Sequence, residues 1–358
     1  MPNCDREHIL TFLSQLLNPK ISAATLSHYF PAKQIFWDRL VQLGSWDLVL
    51  PAVHGALKRK KLEPHVPKDL WSYLEKISDL NLKRNTYISK QITSLREIFN
   101  KHQIEHVFLK GAAMLVTKHY DALFERMVGD IDILIAEKDL LESQQILLNF
   151  GYTEQVRKGI RLRPEVAYAS ERHLNRLNHP DFIASVELHV RTLNQNKSHY
   201  LPSDEILKVR RQTTDGYWIP SLNHLWKHAI LNWQYNDRGY QYNWLSIRTV
   251  VDVLHLEPKN TNDIVNKQSQ VIQHFYSLMS FFYNEYSVNN YCRKALFCMQ
   301  IRYTVIQKIV ILNVKLKLLA AKIFNRIDLF FKSKKYRSNL FKNPKLLIRK
   351  IVSFWKTV

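Results

Sequence analysis

Apolar side chains recur with a helical period through the first quarter of the chain. Ile9, Phe12, Leu13, Leu16 and Leu17 form one such set, and Leu74, Ile77, Ile88, Ile92, Leu95 and Phe99 another, each backed by a polar face. The pattern predicts helices over 5–95, interrupted at Leu62-Glu63-Pro64-His65-Val66-Pro67. Between 104 and 191 the period changes, and short apolar runs alternate with helical ones. Strands are expected over 104–109 and 131–135, around 152–163 and over 183–190. Helices are expected over 112–119 and 138–149, the second stopped by Gly151-Tyr152. From 206 to about 286 the period is helical again. The predicted fold class is α+β, a small mixed sheet flanked by N- and C-terminal helical regions. The expected divisions are 1–95, 96–205, 206–285 and a terminal segment, 286–358.

Composition sharpens this outline. A chain of 358 residues can hold two or three domains, and only 8 glycines beside long helical periods fit a mostly α protein. Cys4, Cys292 and Cys298 have no metal-ligand or CxxC spacing, so they read as reduced thiols of a cytoplasmic protein. The first residues carry acids and no apolar run, so no signal peptide is expected, and no stretch is apolar enough to span a bilayer.

Charge sets the last fifth apart: residues 286–358 hold 17 of the 52 Lys and Arg but a single acid, Asp328. Lys308, Lys315 and Lys322 recur every seven residues beside Ile309, Leu312, Leu316, Leu319, Ile323 and Ile327, the pattern of a basic amphipathic helix. Three readings of 300–358 stay open. It could lie on an anionic membrane at its inner face, bind RNA, or pack on the core with its lysines solvated. The wide apolar face favours membrane over RNA.

Candidate chemistry concentrates in Gly129-Asp130-Ile131-Asp132-Ile133. In a strand, Asp130 and Asp132 share one face while Ile131, Ile133 and Ile135 enter the core. Two neighbouring carboxylates suit a hard divalent ion such as Mg²⁺, particularly with nucleotide oxygens completing its shell. Upstream, Val107-Phe108-Leu109 runs through Lys110-Gly111 into a helix whose N-terminus can hold phosphate oxygens. Downstream, Val186, Leu188 and Val190 alternate with Glu187 and His189, offering a third carboxylate for a two-metal site. His189 could contact substrate or be hydrogen-bonded inside the fold. Arg126 could neutralise phosphate or pair with an acid.

These segments, in this order, resemble the DNA polymerase β-like nucleotidyltransferase superfamily, and more closely its bacterial branch of uncharacterised nucleotidyltransferases, the nucleotidyltransferase family 5 group. The residues that carry the likeness are Leu109-Lys110-Gly111-Ala112, Tyr120 and Arg126 ahead of Gly129-Asp130-Ile131-Asp132, and Val186-Glu187-Leu188-His189 followed by Arg191. His173-Leu174 and His179-Pro180 precede the last strand. Trp46, His54, Arg84-Asn85, Leu225, His228, Trp244 and Asp252 extend the likeness over about 40 to 256. Both His173 and His179 are expected to serve loop structure.

The resemblance implies transfer of a nucleotidyl group from an NTP, with ATP the expected donor, to an acceptor hydroxyl. It implies Mg²⁺ or Mn²⁺ on Asp130, Asp132 and Glu187, with Glu187 alternatively the base. Lys110, Gly111 and Ala112 would hold the nucleotide together with Arg126 and His189. Ala112 stands where the wider superfamily commonly has a phosphate-binding Ser. A surface-polysaccharide acceptor is the first expectation. The alternatives are toxin-like modification of RNA or protein, and a degenerate core that only binds membrane or nucleic acid.

Overall fold

A computed structural model of the chain describes residues 4–26, 34–155, 172–258 and 261–283, with scattered positions between 312 and 338. Helices α1 (Cys4–Leu17), α2 (Ala23–Leu26), α3 (Gln34–Trp46), α4 (Leu50–Arg59) and α5 (Lys68–Lys101) come first. The break predicted at Pro64 and Pro67 is there, as a 3₁₀ turn over Glu63–His65. Next come β1 (His106–Phe108), α6 (Lys110–Thr117), β2 (Asp130–Ile135), α7 (Leu140–Asn149), β3 (Thr153–Glu154), β4 (Leu177–Asn178) and β5 (Ser185–His189). The remaining described elements are α8 (Ser203–Lys208), β6 (Arg211–Gln212), β7 (Trp218–Ile219), α9 (Leu222–Leu231), a π-helical turn over Asn232–Asn236, α10 (Gly239–Tyr242), α11 (Ile247–Leu256), α12 (Thr261–Val265) and α13 (Gln270–Met279).

The fold is α+β. Five strands form one mixed sheet in the order β1-β2-β5-β4-β3, with β2 and β5 parallel and the other neighbours antiparallel. Ile131, Ile133, Leu134 and Ile135 are all fully buried, which explains why β2 reads as an apolar run. β2 packs against α6 and β5 against α7. Helix α1 meets the segment that follows α13: Gln15 Nε2 donates to the Phe282 carbonyl, and Tyr283 Oη to that of Ser14 (2.8 Å).

Two expectations change. The helical period over 206–286 is interrupted by the hairpin β6–β7, whose turn carries Gly216 at φ +81° after Asp215. Two-residue strands are too short to alternate, so the Asp-Gly turn is their only local signal. Within the strand expected around 152–163, Thr153–Glu154 is extended, while 156–171 lie outside the described residues. Most of 286–358, Lys308 and Lys322 included, is outside them as well. Of that segment 312–317 are helical, with Leu312 and Leu316 exposed. Among the described residues no helix is long and apolar enough to cross a membrane.

His106 on β1 shows how closed this core is. Its ring sits 5.2 Å from that of Phe99 and 5.5 Å from that of Phe108, with Nδ1 2.9 Å from the Ile104 carbonyl and Nε2 buried without a partner. Burial pushes the imidazole down to about 4, and does the same for His274. The unfolded chain therefore takes up these protons near pH 6.5 while the folded one resists until about 4. Their contribution to stability is complete above 6.5 and lost as the pH falls. Urea unfolding between pH 6.5 and 5 should show the free energy dropping by roughly 1.4 kcal/mol per unit for each histidine. A flat profile would show that the rings are charged in the native state.

Candidate active site

Strand register builds the site. Parallel pairing sets Asp132 beside Glu187, Asp130 beside Ser185 and Leu134 beside His189. Side chains two residues apart share a strand face, so Asp130, Asp132, Glu187 and His189 converge. One ligand atom each from Asp132, Glu187 and His189 falls within 4.8 Å of the others, and all three residues are buried. Asp130, at the strand's start, keeps a third of its side chain exposed.

Cations hold these carboxylates. Lys110 Nζ donates to Asp132 Oδ1 at 2.5 Å, and His189 Nε2 lies 2.7 Å from the same oxygen. Arg176 spans the other two acids, its Nε 2.6 Å from Glu187 Oε1 and its Nη2 3.0 Å from Asp130 Oδ2. His173 Nε2 approaches Glu187 Oε2 at 3.8 Å. Burial alone would raise the Asp132 carboxyl, but Lys110 and His189 together hold it well below the usual range. Burial also works against Glu187, where the bond from His189 and the charge of His173 prevail and bring it to about 2. Asp130 is pushed up, by burial first and by Asp132 second.

Helix α5 positions the strand that carries the aspartates. The segment 118–129 has no regular ladder of its own, and polar side chains of α5 take its carbonyls. Asn81 donates to Phe124 O (2.5 Å), Asn85 to Leu123 O (2.6 Å) and Arg126 O (2.8 Å), and Arg84 to Val128 O (3.0 Å). Nearly two turns further on, Gln91 donates to Ala184 O at 2.9 Å and accepts from Ala184 N, fixing the entry to β5. Each such bond to a buried carbonyl contributes about 1 kcal/mol net, and leaving the carbonyl bare costs more.

At the other edge β1 turns into α6 through Lys110, whose φ of +47° is left-handed. That conformation costs about 1–2 kcal/mol for a residue with a Cβ, and the pairing with Asp132 opposes it. Gly111 follows because a Cβ there would sit 3.1 Å from both methyls of Val128.

These elements enclose one side of a cavity of about 450 Å³, and α9, the π turn and α11 enclose the other. Lys110, Gly111, Arg126, Asp130, Asp132 and Glu187 line it. Ala112 is fully buried, and His189 stands behind the carboxylates. Arg126 is engaged by the acid Asp252 on α11, through Nε at 2.8 Å and Nη2 at 2.9 Å, and Tyr120 Oη donates to the same carboxylate.

Arg172, Arg176, Arg248, Asp237 and His173 also line the cavity, and the sequence reading gave none of them a role in the site. Single charged residues scattered over 172–248 carry no local signal, and only tertiary packing gathers them. His179, by contrast, serves loop structure as expected, packing on Tyr152 and Phe182. His228, read from the family likeness alone, is a wall of the cavity. Burial pushes it to about 3, and its Nε2 has no hydrogen-bond partner.

The donor chemistry fits a divalent cation. Three carboxylates on one face of the β2–β5 pair, now balanced by Lys110 and Arg176, offer the hard oxygens such an ion takes. Counting the His189 nitrogen as a fourth ligand would suit a softer ion than Mg²⁺.

The family model described as "Uncharacterised nucleotidyltransferase" matches residues 33–268, a span that contains every cavity residue named above. No curated protein matches the chain.

Proposed function

This chain belongs to that nucleotidyltransferase family, an enzyme class defined by nucleotidyl transfer, and from that premise we propose that it moves a nucleotidyl group from an NTP to an acceptor hydroxyl at the β2–β5 edge. One observation carries the proposal: Asp132 and Glu187 lie side by side in register, with Asp130 on the same face at the mouth of the cavity. Asp130, Asp132 and Glu187 would hold the divalent cation, Mg²⁺ or Mn²⁺, which when bound supplies charge neutralisation at the phosphorus and orients the triphosphate.

Glu187 is better suited to that role than to taking the acceptor's proton. One oxygen receives Arg176 and the other faces His189 and His173, so neither points freely at an incoming hydroxyl. His189 positions Asp132 from behind. Arg176 tethers Asp130 and Glu187 until a cation replaces it. A sugar-linked acceptor of surface polysaccharide synthesis rests on the family resemblance.

The protein incubated with each labelled NTP, Mg²⁺ or Mn²⁺ and cell extract should yield a labelled acceptor, and a chelator should stop it. Absence of labelling with every NTP and both ions would defeat the proposal. Glu187→Gln should lower turnover by at least about 10²-fold while changing nucleotide affinity by less than about threefold, because a cation ligand acts mainly in the transition state. Equal losses in both would assign Glu187 to ground-state binding.

A further inference from the structure

The cavity wall carries five cations, Lys110, Arg126, Arg172, Arg176 and Arg248. Three are engaged by carboxylates: Lys110 by Asp132, Arg126 by Asp252, and Arg176 by Asp130 and Glu187. Arg172 and Arg248 have no side-chain hydrogen bond or ion pair among the described residues. The nearest acid along α11, Asp252, already receives Arg126 and Tyr120.

Arg248 is also half-buried; burial and Arg126 work against its charge, while the acids Asp252, Asp237 and Asp47 favour it from nearby without a hydrogen bond. An Arg keeps that charge, and a half-buried guanidinium whose N–H groups make no direct hydrogen bond is a binding surface for a planar or tetrahedral oxyanion. The opposite wall offers little for such an anion. Lys110 is committed to Asp132, Gly111 packs on Val128, and Ala112 is buried without a hydroxyl.

We infer that Arg172 and Arg248 form the clamp for the phosphate chain of the NTP. The chain then runs from the carboxylate edge across the cavity toward α11, and the glycine turn before α6 is not its main anchor. This rests on the nucleotidyl-transfer reading, whose donor carries the polyphosphate. The same oxyanion chemistry would serve a phosphate borne by the acceptor, and the probes below separate the two.

Calorimetry on the full chain with Mg²⁺ compares ATP (or the NTP that labels), inorganic tripolyphosphate and a sugar 1-phosphate. The wild type should bind the NTP and tripolyphosphate. Arg248→Gln and Arg172→Gln should each weaken both by about 10- to 100-fold, the worth of one charge-assisted hydrogen bond. Arg248→Lys should recover part of the loss. Unchanged thermal midpoints show that the variants fold, and Arg172→Gln, outside any helix, serves if a change in α11 unfolds the chain. NTP and tripolyphosphate binding that survives both variants would overturn the clamp while leaving nucleotidyl transfer standing. Loss confined to the sugar phosphate would overturn it in favour of the acceptor. A wild type that binds neither NTP nor tripolyphosphate would sink the clamp and the transfer reading together.

Discussion

Asp132→Asn should reduce nucleotidyl transfer by about 10³-fold or more, since a cation ligand contributes several kcal/mol to the transition state. The side chain is buried and accepts both Lys110 and His189 on one oxygen, so it is the centre of the carboxylate group. An amide of the same shape keeps an oxygen for those donors but loses the charge. Lys110, a quarter exposed, can turn to solvent, and the strand's apolar flank is untouched. Thermal unfolding should therefore move little while turnover collapses. A variant with full turnover and normal folding would remove Asp132 from the chemistry.

The largest effect on stability is expected at Asp252→Ala. Three donors converge on that carboxylate from residues distant in sequence, Arg126 through two nitrogens and Tyr120 through its hydroxyl. Deleting the acid strands a nearly buried guanidinium, a loss of about 3–5 kcal/mol in comparable pairs. Arg126→Met with Asp252→Leu, which removes both charges, should cost far less than Asp252→Ala alone. Denaturant midpoints of the three proteins decide this. If the double variant were as unstable as the single, packing around α11 rather than the stranded charge would be responsible.

The sequence made some of this legible and hid the rest for physical reasons. Asp130 and Asp132 are two apart in an apolar run, and Glu187 and His189 alternate with Val186, Leu188 and Val190, so period alone places them on strand faces. That the two faces coincide is a matter of register between β2 and β5, which no local pattern encodes. The order of the motifs, through the family likeness, supplied it. Arg126 was left between phosphate and carboxylate, and its partner on α11 is 126 residues away.

Along α5 the apolar period is interrupted at Ser78, Asn81 and Asn85, buried positions where a core helix would be expected to carry Leu or Ile. The amides of Asn81 and Asn85 are there for the carbonyls of Leu123, Phe124 and Arg126, and the Ser78 hydroxyl meets His54. A buried polar residue on a helix's inner stripe thus signals a loop that needs hydrogen-bond partners. The hairpin β6–β7 and the arginines of the far wall had no comparable trace.

The hold of α5 on the loop before β2 also constrains chain length. Asn81 and Asn85 are one turn apart, about 6 Å along the helix axis, and their amide groups grip carbonyls of consecutive or nearby loop residues. Arg84 then takes the Val128 carbonyl just ahead of the aspartates. Helix and loop thus form a ruler and a tape with several fixed marks. A surface loop ordinarily absorbs an extra residue by bulging into solvent. Here an insertion between Leu123 and Val128 would slide every later mark by one and present Gly129 where Asp130 should stand. The stretch is irregular in conformation yet as intolerant of insertion or deletion as a core strand, so engineered linkers, tags or grafts belong elsewhere on this protein.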